Sequence, residues 1–150
     1  MGVIPAATSD LYALIQSMIG ERSIYVVHNQ SRQVMAAVTA VLLASGTAAL
    51  EAVLTGRPTV AAYRMNPLTY CMVKGQLQTE FVTLPNFLAK QALIPEFIQG
   101  DASVHSIIDA MTPMLKEGPT ANFLREARKI HESLGGDVTD HAATAILGYL

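Results

Sequence analysis

Short apolar runs alternate with helical patterns along the first hundred residues, and this alternation limits most strongly what the chain can fold into. The runs are rich in aliphatic and β-branched residues, as buried strands are. Strands of continuous apolar character separated by helices favour an α/β fold, in which helices cover both faces of a Rossmann-like parallel sheet. The predicted strands are residues 3–7 (where Pro5 weakens the prediction), 23–27, 40–44, 58–62 and 80–85.

Most of the predicted helices begin at capping residues, and three of them end at glycine. The first follows Thr8-Ser9-Asp10, stops at Gly20, and carries an apolar stripe of Leu11, Leu14, Ile15, Met18 and Ile19. Further helices are predicted from Ser31 to Val38, from Gly46 to Leu54, after Asn66-Pro67, from Ser103 to Gly118, from Thr120 to Gly135 and from Asp137 to Leu150. We therefore expect a partial Rossmann-like domain over residues 1–100 and a helical tail over 101–150 that packs on it.

Composition excludes several classes of protein. Hydrophobic residues make up 51% of the 150 residues and charged residues 15%, which excludes disorder. The net charge of −2 gives no electrostatic reason to expect nucleic acid. A single cysteine, Cys71, forms no internal disulfide, as expected of a cytoplasmic protein, and the four histidines share no metal-ligand spacing.

No membrane span or secretion signal is predicted. Residues 35–50 carry no charge, but Ser45-Gly46-Thr47 interrupts them and Glu51 follows at once. A buried strand followed by a helix accounts for this stretch better than a spanning helix does. The first residues lack the basic region and long apolar stretch of a secretion signal.

The turn Ser45-Gly46-Thr47 is the strongest candidate for a binding site. It follows a predicted strand and opens a predicted helix, which is where open α/β sheets bind ligands. The first turn of a helix offers unpaired N–H groups to phosphate, Gly46 allows close approach, and the two hydroxyls can donate hydrogen bonds. Glu51 lies one turn further along the helix. Its carboxylate would repel a phosphate, so we expect it to bind a pair of neutral hydroxyls, such as those of a ribose. Ordinary helix capping explains the same residues. Neither the Gly-x-Gly-x-x-Gly motif of dinucleotide-binding proteins nor the Gly-x-x-x-x-Gly-Lys-Ser/Thr phosphate loop is present.

The segments "LLASGTAALEAVLTGRPTVAAYRMNPLTY" and "FVTLPNFLA" resemble the C-terminal half of the lipid-A-disaccharide synthase family, glycosyltransferases of the GT-B fold. The resemblance runs from about residue 3 to the end of the chain and is strongest over residues 41–89. It rests on three motifs in order: the Ala-Ser-Gly-Thr-Ala-Ala-Leu-Glu segment, Tyr-Arg-Met and Leu-Pro-Asn.

This resemblance implies an activity. Such enzymes move diacylglucosamine from UDP-2,3-diacylglucosamine to a lipid acceptor, diacylglucosamine 1-phosphate, and release UDP without a metal or cofactor. Carried over by motif, Ser45, Gly46 and Thr47 approach the diphosphate and Glu51 the ribose. Arg64 and Asn86 line the donor cleft. The lipid substrates imply a cytoplasmic enzyme in peripheral contact with the inner membrane.

The resemblance also implies that parts of the family's enzymes are absent from these 150 residues. Family members carry an N-terminal domain with the acceptor site and a catalytic carboxylate, and a Gly-Ser-Arg loop that does not occur here. We therefore assign no catalytic residue to these 150 residues and expect them to be inactive alone. The final helix, packed in the family on the absent domain, would leave an apolar patch that favours a homo-oligomer.

Two other interpretations remain open at this point. The chain could belong to another GT-B enzyme that uses a UDP-sugar, such as a peptidoglycan glycosyltransferase or an epimerase. It could instead be a Rossmann-like interaction module that binds no nucleotide. Binding of UDP, rather than NAD or nothing, separates the UDP-sugar enzymes from the interaction module.

Overall fold

The computed structural model describes residues 1–44, 46–66 and 81–135, which form parallel strands and helices in alternation. In chain order the elements are β1 (Gly2–Ala6), α1 (Ser9–Ile19), β2 (Ile24–His28), α2 (Ser31–Ala37), β3 (Val41–Leu43), α3 (Thr47–Leu54), β4 (Thr59–Tyr63), α4 (Leu84–Ala89), β5 (Glu96–Ile98), α5 (Val104–Glu117) and α6 (Ala121–Leu134), with a 3₁₀ turn at Gln99–Asp101. The α/β class predicted from the alternating pattern is confirmed.

The described strands form two parallel sheets, one of two strands and one of three. β1 pairs with β2 from Gly2↔Ile24 to Ala6↔His28. β4 lies between β3 and β5, and Val41 pairs with Thr59 while Tyr63 pairs with Ile98. Because every pairing is parallel, the carboxyl ends of β3, β4 and β5 lie at one edge of their sheet.

The main core lies between the three-stranded sheet and helices α3 and α6. It consists of small and aliphatic side chains around one aromatic ring, namely Ala49, Val53, Ala61, Ile94, Phe123 and Ala127, with Leu43 and Leu93 packed against it. Alanines at the α3 contact allow the helix to approach the sheet closely. This packing holds the start of α3 at the carboxyl edge of β3.

Three predicted helix starts are confirmed by their hydrogen bonds. Thr8 accepts from Leu11 N–H at 3.2 Å, Ser103 from Ser106 N–H at 3.1 Å, and Thr120 from Phe123 N–H at 3.1 Å. These side chains satisfy N–H groups that the first turn of a helix leaves unpaired. The short helix α2 differs, because it begins at Ser31 after Gln30, which makes no such side-chain bond.

The predicted strand over residues 80–85 is wrong for its described part, residues 81–85. Leu84 begins α4, where Pro85 occupies the first turn, a position that favours a helix. The last strand is instead β5. It is only three residues long and starts with Glu96, so it carried little strand signal. The helices predicted after Asn66-Pro67 and from Asp137 lie outside the described residues.

Burial on two helices also differs from the predicted pattern. Leu11, Leu14 and Met18 of α1 were predicted to form a core-facing stripe, but all three are exposed. On α6, the spacing of Phe123, Leu124, Ala127 and Ile130 predicts a single buried apolar face, but Leu124 is exposed and the carboxylate of Glu126 is buried.

Glu126 is stabilised in its charged form by two cations. Its Oε1 lies 2.9 Å from Lys129 Nζ and 3.3 Å from Arg125 Nε. The hydrogen bond from Lys129 is the main reason that the pKa of Glu126 is lowered, and burial opposes it. The resulting stabilisation is present above the ordinary glutamate pKa and is lost as pH falls through the lowered one.

Replacing Lys129 with methionine should therefore reduce the free energy of unfolding at about pH 7 and have a smaller effect at about pH 2.5, because the Glu126 carboxylate takes up a proton as the pH falls through its lowered pKa. Urea unfolding of both proteins at the two pH values measures the difference. Lys116→Met, at the exposed end of α5, is the matched control and should show little effect at either pH. An equal loss at both pH values for Lys129→Met would contradict the ion-pair explanation.

Candidate functional site

Three segments meet the solvent at the carboxyl edge of the three-stranded sheet. Gly46 and Thr47 follow β3, Arg64 and Met65 follow β4, and Gln99 follows β5. Parallel pairing brings the ends of these strands to the same edge. Ser45, the first residue of the predicted turn, lies outside the described residues.

Gly46 gives an open approach to the first turn of α3. Its φ of 144° lies in a region that side chains with a Cβ rarely adopt, and a Cβ added there would meet nothing within 4 Å. Thr47 begins the helix, and both residues are exposed. The start of α3 is therefore open to solvent, and the first turn of a helix leaves N–H groups without intrahelical partners, as an anion site requires.

Glu51 lies on α3 one turn beyond Thr47 and is partly exposed. Its Oε2 is 3.8 Å from Nε of Arg32 on α2, and the arginine side chain is 87% exposed. An exposed pair at this distance contributes little to stability, so both groups are free to exchange partners. Arg32 is a cation beside Glu51 that the sequence did not single out as a binding residue.

Arg64 lies at the exposed end of β4 and is tied to the 3₁₀ turn. Its Nε donates to the carbonyl oxygen of Gln99 at 3.1 Å. The Gln99 amide in turn accepts from Met65 N–H at 2.8 Å and donates to the Met65 carbonyl at 3.1 Å. Together with Gly100, these residues line a shallow depression. The sequence analysis did not single out Gln99. Its backbone turns at this point with a positive φ of 54°.

Asn86 lies inside the protein, with 1% of its surface exposed. Its Nδ2 donates to the Ile94 carbonyl and to Glu96 Oε1, both at 2.8 Å, and its Oδ1 accepts from Ile94 N–H at 2.8 Å. Both amide hydrogens and one acceptor position are thereby used within the fold. Its predicted contact with the donor stays a prediction.

Glu96 connects this network to the start of α4. Its Oε1 also accepts from the Thr83 N–H at 2.9 Å and from the Thr83 hydroxyl at 2.5 Å, and its Oε2 accepts from Val82 N–H at 3.0 Å. A strand residue therefore satisfies N–H groups just before a helix. Nothing in the local sequence indicated this role, since Glu96 and Thr83 lie thirteen residues apart.

The arrangement suits binding of an anion more than metal chemistry. A helix N-terminus and the exposed guanidinium of Arg64 lie at one edge, a combination that stabilises phosphate charge. In the three described ranges, no group of three or more His, Cys, Asp and Glu side chains is placed to hold a metal ion. Within the same ranges, no helix is long and apolar enough to cross a membrane.

Comparisons with known proteins point to one family. A family model described as lipid-A-disaccharide synthetase matches residues 3–146. The chain is 38% identical over 150 residues to the lipid-A-disaccharide synthase of Pseudomonas putida strain F1 and 35% identical over 150 residues to that of Pseudomonas fluorescens strain Pf-5. Each alignment covers 99% of this chain but only 40% of the relative. The chain thus spans about two fifths of the length of the curated relatives it matches.

Proposed function

This chain belongs to the lipid-A-disaccharide synthase family, and we propose that it is the part of such a glycosyltransferase that binds the UDP-linked donor sugar. The observation that carries the proposal is the open turn at Gly46–Thr47, placed at the carboxyl edge of a parallel sheet within a chain of this family. The whole enzyme acts in lipid A synthesis by moving diacylglucosamine from UDP-2,3-diacylglucosamine to a diacylglucosamine 1-phosphate acceptor.

Each predicted residue has a stated role in donor binding. The N–H groups at the start of α3 and the hydroxyls of Ser45 and Thr47 bind the diphosphate. Glu51 accepts hydrogen bonds from the ribose hydroxyls, for which its weak contact with Arg32 leaves it available. Arg64 lines the donor cleft. Asn86 belongs to the same cleft, where its hydrogen bonds hold the backbone of Ile94 in place.

The chemistry of transfer follows from these contacts. When the glycosidic bond to UDP breaks, negative charge develops on the departing diphosphate, and the helix N-terminus and Arg64 stabilise that charge without a metal. A general base must also take a proton from the acceptor hydroxyl. We place that base outside these 150 residues, so we expect the chain alone to bind the donor and transfer nothing.

Contact with the inner membrane is proposed for α4. Leu84, Phe87 and Leu88 are exposed on this short helix, and Lys90 follows directly. Apolar side chains beside a cation suit the surface of an anionic membrane, where both lipid substrates reside. This would make the enzyme a peripheral protein on the cytoplasmic face.

Titration of UDP and of NAD against the purified chain tests the donor-binding proposal. We expect UDP to bind with a dissociation constant of about 1 mM or tighter and NAD not to bind measurably. Glu51→Ala should weaken UDP binding about tenfold, because it removes a hydrogen bond to a charged group. Glu117→Ala, at the exposed end of α5, is the control and should change nothing. Absence of UDP binding, or equal binding of NAD, would contradict the proposal.

A further inference from the structure

Gln99 joins the two segments that follow β4 and β5, through both its side chain and its main chain. The two strands pair in parallel up to Tyr63↔Ile98, so Arg64 and Gln99 are the next residues along each of them. The contacts of Gln99 therefore begin where the strand pairing ends.

The side chain of Gln99 fixes the peptide groups of Met65. Its Oε1 accepts from Met65 N–H at 2.8 Å, and its Nε2 donates to the Met65 carbonyl at 3.1 Å. A primary amide carries its acceptor and its donors side by side, so one side chain can satisfy both backbone groups of a residue. The backbone of Arg64 is thereby held on both sides, by the Tyr63 pair before it and by Gln99 after it.

The main chain of Gln99 holds the side chain of Arg64. The φ of Gln99, 54°, lies in the left-handed region, which residues with a Cβ seldom adopt. In this conformation its carbonyl oxygen accepts from Arg64 Nε at 3.1 Å. Disfavoured backbone conformations persist where surrounding contacts hold them, and they cluster at binding sites. The two bonds to Met65 supply such a hold.

This contact restrains Arg64 without occupying the end of its guanidinium. A guanidinium has five N–H groups, and the bond to Gln99 uses the one on Nε. The groups on the two Nη atoms can still form side-by-side bonds to phosphate oxygens. An exposed arginine loses the freedom of several torsions when it binds a ligand, and restraint before binding lowers that cost.

We propose that Gln99 is a positioning residue, which holds the Arg64 guanidinium ready for the diphosphate of the donor. The inference rests on the proposed function, because that function assigns to Arg64 the charge of a bound diphosphate. The amide of Gln99 binds Met65 and its carbonyl binds Arg64, so its effect on the ligand passes through Arg64.

A residue that only fastened two loops would behave differently. Its loss would weaken binding to the same extent whether or not Arg64 is present. Positioning predicts instead that Gln99 matters for binding only while Arg64 is there, so the two substitutions are not additive.

Inorganic pyrophosphate is the probe for this test, since it carries the charge of the diphosphate without the nucleoside. By calorimetric titration, Gln99→Ala should weaken its binding about tenfold and Arg64→Ala at least as much, and the double variant should bind no more weakly than Arg64→Ala. Gln91→Ala is the control, because it removes an exposed glutamine amide after α4, and it should change nothing.

Nuclear magnetic resonance tests the contact without any ligand. The Arg64 Nε–H signal is the one that disappears in Arg64→Ala, and it should exchange with solvent at least about tenfold faster in Gln99→Ala than in the unchanged chain. Circular dichroism shows whether each variant is folded. Gln99→Met, which has a similar length but no amide, should act like Gln99→Ala and keeps the test valid if the alanine variant unfolds.

Parallel titrations with UDP separate this inference from the donor-binding proposal. If pyrophosphate binding depends on Gln99 and Arg64 as described but UDP does not bind, the inference is supported and the donor-binding proposal is contradicted. The inference is overturned if the unchanged chain does not bind pyrophosphate, or if Gln99→Ala binds it equally well. It is also overturned if the two losses add in the double variant, or if the Arg64 Nε–H exchanges no faster in Gln99→Ala.

Discussion

Replacing Gly46 with valine is expected to abolish measurable UDP binding, a loss of at least about 100-fold. The branched side chain would project into the open space above the first turn of α3, where the diphosphate is proposed to lie. The backbone φ of 144° adds strain for any residue with a Cβ, at a cost to stability of about 1–3 kcal/mol. Calorimetric titration with UDP measures the affinity, and urea unfolding measures the stability.

Gly118→Val is the matched control for this experiment. Gly118 also has a positive φ, of 73°, and a Cβ added there also meets nothing within 4 Å, but it lies at the end of α5. The control should lose a similar amount of stability and keep its affinity for UDP. If Gly46→Val bound UDP as well as the unchanged chain does, the diphosphate would not lie at this turn.

Replacing Asn86 with leucine is expected to lower the free energy of unfolding by about 4 kcal/mol. The change leaves the Ile94 N–H and carbonyl without their Asn86 partner in the interior, at about 1–3 kcal/mol for each unsatisfied group, and removes one of the hydrogen bonds that Glu96 Oε1 accepts. A domain of ordinary stability has only about 5–15 kcal/mol in total, so this variant is close to unfolding. Urea unfolding monitored by circular dichroism measures the loss.

Asn122→Leu is the control for this substitution. Asn122 is exposed on α6 and its side chain accepts a hydrogen bond from the exposed Arg125, so its replacement should change stability by less than about 0.5 kcal/mol. A loss below about 1 kcal/mol for Asn86→Leu would show that its amide is not needed inside the fold and is available to a ligand. UDP affinity of the folded variant then decides whether Asn86 touches the donor.

Local patterns predicted helices better than they predicted the last strand. The three starts at Thr8, Ser103 and Thr120 were correct because a capping side chain bonds to an N–H three residues away, which is a purely local event. Residues 81–85 were mistaken for a strand because Phe81 and Val82 have a high strand propensity. Contacts across the fold decided otherwise: Glu96, on a distant strand, holds the Thr83 backbone where α4 begins.

The candidate site was predicted in part for the same reason. Gly46 and Thr47 could be found because a glycine between a strand and a helix is a local signal. Gln99 and Arg32 could not, since each acts through a partner far away in sequence, such as Met65 for Gln99. Asn86 was assigned from its motif as a ligand residue, and only its contacts reveal how its amide is used.

The sequence by itself determined the α/β class, most element boundaries and the family, because these depend on periodicity, capping residues and ordered motifs within short windows. Only the tertiary structure decided which side chains are buried and that Glu96 fastens α4 to β5. The physical reason is that burial and strand pairing are set by neighbours distant along the chain, and such neighbours leave no mark on local composition.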